Sequence, residues 1–114
     1  MNELTIQFGE VPFENLGPFN GWSGPGGSGI FVVLVKPNPK EAPNDYKALY
    51  FGEFDNLSGS EFFRTHPKFR CCVSEAERAE NLYFAISPLE GSNEDQRKQI
   101  QRLLANEFRT ACNY

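Results

Sequence analysis

The residues with chemistry to offer are few and spread along the chain. Arg64, His66, Lys68 and Arg70 fall within seven residues and form the densest group of basic side chains. His66 with Cys71, Cys72 and Cys112 has the donor types of a zinc site. The spacing contains no Cys-x-x-Cys pair, and adjacent cysteines rarely hold one metal together. The three cysteines, an odd number, also make no disulfide framework, so they read as small buried thiols. A Ser-His-Asp hydrolase is closed off by the single histidine and by the lack of a Gly-x-Ser-x-Gly elbow. The glycine-rich stretch 23–29 has no Gly-Lys-Ser/Thr ending and opens no helix. It is a connector, not a phosphate cradle.

The elements that would position such residues follow from patterning. Leu4, Ile6 and Phe8 alternate with strand period and predict an edge strand in an N-terminal extension. Residues 30–35 are a continuous apolar, β-branched run, the mark of a strand buried on both faces. A loop over 36–45 with three prolines ends it, and 46–54 supplies a second strand that pairs antiparallel with the first. Asn56 or Ser58 caps a short helix through Phe62, Phe63 and Arg64, stopped by Pro67, and a further short helix is expected over 74–80. Residues 82–86 form a third strand, ended by Pro88 and Gly91. Ser92 and Asp95 resemble a capping box for a last helix, whose apolar face is Ile100, Leu103, Leu104 and Phe108. The expected fold is α+β: a small antiparallel three-stranded sheet packed by helices on one side, with the extra segment 1–28 preceding a domain at 29–114.

Two tripeptides, Gly29-Ile30-Phe31 and Tyr50-Phe51-Gly52, stand on the first two of those strands, and the last helix runs on to Asn113. This order resembles the GIY-YIG nuclease domain family, in a degenerate form. The resemblance implies a site in which two tyrosines, an arginine, a glutamate and an asparagine surround a scissile phosphate. In such a site the glutamate holds one divalent metal, the arginine meets phosphate charge and a tyrosine helps to activate water. Tyr50, Gly52, Asn56 and Leu57 match the second motif, and Asn113 matches the terminal asparagine. Phe31 lacks the first motif's hydroxyl. The arginine position reads Ser60, with Arg64 one helical turn further on, and His66 stands where some members carry an auxiliary histidine. The glutamate position reads Gln101, a neutral amide and a weak ligand for a hard cation. Glu107 falls on a different part of the helix circumference. Ala111 and Cys112 replace the proline usual before the asparagine.

Composition sets limits on the use of such a fold. Eleven phenylalanines predict a bulky core. The formal net charge is −4, with seven acids and three bases in residues 1–55 and eight of each in 56–114. That balance opposes strong non-specific duplex binding, which needs a basic footprint. No apolar run is long enough to cross a membrane, and the N-terminus lacks signal-peptide regions, so a cytoplasmic setting is expected. The resemblance then implies a binding module without efficient nuclease activity and without a cofactor, its partner a protein or a nucleic acid. The alternatives are a divergent Mg²⁺- or Mn²⁺-dependent endonuclease and a protein-interaction or assembly module that uses the aromatic N-terminal segment.

Overall fold

A computed structural model describes residues 6–23, 27–35, 46–55, 61–89 and 91–113. Five strands, β1 (Ile6–Phe8), β2 (Val11–Pro18), β3 (Gly29–Val35), β4 (Lys47–Phe54) and β5 (Leu82–Pro88), form one antiparallel sheet in the order β1-β2-β5-β3-β4. Two helices, α1 (Phe69–Ala76) and α2 (Glu94–Phe108), complete the fold, with short 3₁₀ turns at Glu61–Thr65 and Ala79–Asn81.

The α+β class stands, but the three-stranded sheet does not. The expected strands β3, β4 and β5 form its centre and one edge. Residues before Gly29 add two more, because β2 pairs with β5 from Glu14 to Pro18. With two prolines and a glycine in eight residues, β2 lacks the look of a strand. It survives by breaking register between Glu14 and Gly17, where Asn15 takes a positive φ of 57° and Trp22 Nε1 donates to the Asn15 carbonyl at 2.7 Å. The sheet also curls: Phe8 on β1 and Phe51 on β4, at opposite ends of the strand order, bring their rings to 5.3 Å.

Helices cover both faces of the sheet rather than one. On one face Phe31, Val33, Tyr50 and Phe84 meet Cys72 and Ala76 of α1 and Phe63 of the first 3₁₀ turn. On the other, Ile30, Val32, Leu34 and Phe51 meet Leu104 of α2 together with Phe8 and Phe13. This is why every residue of β3 is buried. The short helix expected before Pro67 is only a 3₁₀ turn, and α1 begins after that proline and carries the adjacent cysteines. The candidate caps Asn56 and Ser58, Leu57 of the second motif, Ser60 and the loop 36–45 lie outside the described residues. The cap of α2 is one residue later than the sequence suggests: Asn93 accepts from Gln96 N–H, and the Gln96 side chain accepts from Asn93 N–H.

The reading of all three cysteines as thiols is corrected, because Cys71 and Cys112 form a disulfide that ties α1 to the C-terminal segment. Cys72 alone is free, and it is buried. Disulfides persist in oxidising environments and are rare in the cytosol. No described helix is long and apolar enough to cross a membrane.

Candidate functional site

The two tripeptides lie side by side because β3 and β4 pair with Phe31 opposite Gly52 and Val33 opposite Tyr50. Both glycines are steric requirements. A Cβ on Gly52 would overlap the Phe31 ring, and a Cβ on Gly29 would overlap the Ser87 carbonyl of β5. The bare backbone at Gly52 lets Phe31 lie across it. Phe31 then reaches Tyr50 (ring centroids 5.8 Å) and stacks on Phe84 at 5.2 Å.

Strand β4 is a sheet edge, and its outer backbone groups need partners. The residues after α2 supply them. Phe51 N–H donates to Asn113 Oδ1 at 2.9 Å, and Asn113 Nδ2 donates to the Phe51 carbonyl at 2.9 Å. The Thr110 hydroxyl donates to the same Asn113 oxygen, and Cys112 N–H donates to the Leu49 carbonyl at 3.0 Å. Gln101 Nε2, from α2, donates to the Phe51 carbonyl at 2.8 Å. Phe51 is therefore the point on which Gln101 and Asn113 converge.

Tyr50 stands next to this junction, buried, with its pKa raised above the ordinary phenol value. Burial is the main cause; a hydrogen bond from the Gln101 side chain pulls the other way, and Cys72 and Glu53 add to the rise. The phenol keeps its proton at neutral pH. His66 packs against Tyr50 (5.3 Å between ring centroids) and stacks on Phe63 at 4.9 Å. Burial, and then the charge of Lys68, hold its pKa below 6.5. Its Nδ1 accepts from Lys68 N–H at 3.1 Å, which places the proton of the neutral ring on Nε2. Cys72, below Tyr50, is pushed up to about 12 by burial and is inert as a nucleophile.

The fold thus gathers Phe31, Tyr50, His66, Gln101 and Asn113. Arg64 sits elsewhere: it donates to Asn20 Oδ1, and its guanidinium lies over the rings of Phe19 (5.4 Å) and Phe69 (5.9 Å). Ser60 is outside the described residues. Beside Gln101 and Asn113 opens a cleft of about 280 Å³, also lined by Lys98, Arg102, Ala105 and Asn106.

A hard divalent cation needs charged oxygen donors, and this site fits one poorly. Gln101 is neutral, and its amide nitrogen is already used on Phe51. Glu53, the carboxylate whose charge Tyr50 feels, accepts from Arg97 Nε at 3.0 Å. No group of three or more His, Cys, Asp or Glu side chains suited to a metal occurs among the described residues. The cleft is lined by the Gln101 and Asn113 amides, whose nitrogens are already used on the Phe51 carbonyl, by Arg102, and by Lys98, which pairs with Glu94 at 2.7 Å; no carboxylate among the described residues lines it.

Two structural contributors escape sequence reading. Arg97 is buried at 4% exposure, where it binds Glu53, the Ser92 carbonyl (2.8 Å) and the Ser92 hydroxyl (3.3 Å), so it locks α2 onto β4. Its place four residues before Gln101, on the same helix face, is the one signal available. The Cys71–Cys112 pairing left no signal in spacing. Compared with protein-family models, with curated proteins and with solved structures, the chain matches none.

Proposed function

We propose that this chain is a degenerate GIY-YIG-like domain kept as a binding module, without efficient nuclease activity. The observation that carries the reading is the fate of Gln101. At the position where the resemblance implies a metal-holding glutamate stands an amide committed to the Phe51 carbonyl and the Tyr50 hydroxyl. Asn113 is likewise spent on the Phe51 backbone. Groups that would serve a metal and a phosphate in a working nuclease serve the sheet edge here.

The neighbouring groups support the same reading. Tyr50 holds its proton and His66 has its proton on Nε2, so both act as donors rather than bases at neutral pH. Arg64, the stand-in for the missing arginine, is drawn off to Asn20 and two aromatic rings. The excess of acids in the first half of the chain favours a protein partner over nucleic acid.

The test is incubation with labelled single-stranded, duplex and branched DNA and with RNA, in Mg²⁺ or Mn²⁺, beside a Tyr50→Phe control. The expected outcome is no cleavage of any substrate. Metal-dependent cutting that vanishes in the control would overturn the reading and establish a working nuclease.

A further inference from the structure

Helix α2 carries its apolar stripe past the core. Leu104 is buried, whereas Leu103 is 68% exposed, well beyond Phe62 and Phe108. Leu103 does not stand alone. With Val11, Ile100 and Leu104 it lines a groove of about 280 Å³ between α2 and the turn that joins β1 to β2. The remaining lining residues are Gly9, Glu10 and Glu107, so an apolar floor carries two carboxylates and no cation. Among the described residues neither carboxylate has an ion-pair partner.

One close approach lies at the groove. A Cβ on Gly9 would stand 3.2 Å from Glu107 Oε2, a tight contact that a small shift of the Glu107 side chain would relieve, so the helix carboxylate lies against the hairpin turn. That glycine also takes a φ of 62°. The helix divides its charges by face. At about 100° per residue, Gln96, Gln99, Ile100 and Glu107 lie near Leu103, while Gln101 and Arg102 point well away, toward the other cleft.

We propose that this groove docks a short amphipathic segment of a protein partner, which sets aliphatic side chains on Leu103 and Ile100 and places Lys or Arg against Glu10 and Glu107. Charge complementarity selects that occupant. Nucleic acid and anionic lipid would meet two carboxylates on a chain of net charge −4. A second copy in twofold contact would set these carboxylates against their own equivalents. The volume suits one or two anchoring side chains, not a whole small-molecule ligand. This site is separate from the junction at Phe51 and holds whether or not that junction descends from a nuclease.

The test is a titration of the ¹⁵N-labelled protein with a short synthetic peptide of leucine and lysine in amphipathic order, beside a peptide with glutamate in place of lysine. The expected result is binding of the lysine peptide alone, with amide shifts confined to residues 9–11 and 100–107. Leu103→Gln should weaken it about tenfold or more, as should Glu10→Lys with Glu107→Lys. Leu103 is exposed, so its replacement leaves the fold intact, and Glu107→Gln reads the charge without adding a cation. No binding, equal binding of both peptides, shifts centred on Gln101 and Asn113, or self-association through Leu103 without peptide would each overturn the proposal.

Discussion

The side-chain amide of Asn113 pairs with the backbone of Phe51 as a neighbouring strand would, its oxygen taking the N–H and its nitrogen giving to the C=O, each at 2.9 Å. A single residue past the last helix thereby closes part of an open sheet edge. It also fixes where the C-terminal segment, and with it Cys112, must lie.

Replacing Asn113 with Ala removes both bonds, and Asp keeps the acceptor but turns a carboxylate toward the Phe51 carbonyl. Either change should lower stability by roughly 1–3 kcal/mol. Urea unfolding measures the loss, and hydrogen exchange localises it: the Phe51 amide should exchange faster in both variants. Unchanged exchange at Phe51 would mean that the pairing does not form in solution.

The contact between Arg97 and Glu53 is a buried ion pair with one partner partly exposed (side chains 5% and 23% exposed). Glu53→Gln leaves the buried guanidinium only the exposed Asp55, 3.9 Å away, as a counter-charge and should cost roughly 2–4 kcal/mol. Arg97→Met with Glu53→Leu removes both charges and should cost less than the sum of the single changes. Chemical denaturation of the four proteins of the cycle decides between coupling and independence.

The Cys71–Cys112 bond closes a loop across a sequence separation of 41. In the chain-entropy picture Cys71→Ser, Cys112→Ser or a reductant should each cost roughly 4 kcal/mol. Thiol counting checks the pairing directly. The native protein should react slowly, because Cys72 is buried and its pKa is pushed up to about 12. The unfolded, unreduced protein should then show one thiol.

His66 gives stability a pH dependence. Its folded pKa lies below 6.5, so below about that pH the unfolded chain takes up a proton that the folded chain resists. Stability should therefore fall as pH drops from 6.5 toward the folded pKa and level off beneath it. The His66→Gln variant should lose this component of the curve. Thermal unfolding of both proteins across that range is the measurement, and parallel curves would remove His66 as the cause.

Much of the fold is legible along the chain. The continuous apolar runs in β3, β4 and β5 name three strands, because burial on both faces leaves an unbroken apolar stretch. Strand β2 leaves none. Pro12, Gly17 and Pro18 speak against it locally, and its pairing with β5 and the hold of Trp22 on Asn15 come from residues distant in sequence. The stripe on α2 was legible as a stripe, but not as one half in the core at Leu104 and half in a groove at Leu103.

Residue type is written in the chain: positions 101 and 113 carry amides, so a metal held as the tripeptide resemblance implies would lack its carboxylate. What those residues do follows from the way that the chain closes on itself. Gln101 and Asn113 meet on Phe51, Arg64 turns to Asn20, and Cys71 finds Cys112. The physical reason is that local pattern records only burial and backbone preference. The partner of a buried polar group is chosen when distant segments close around it, since each such group must find one.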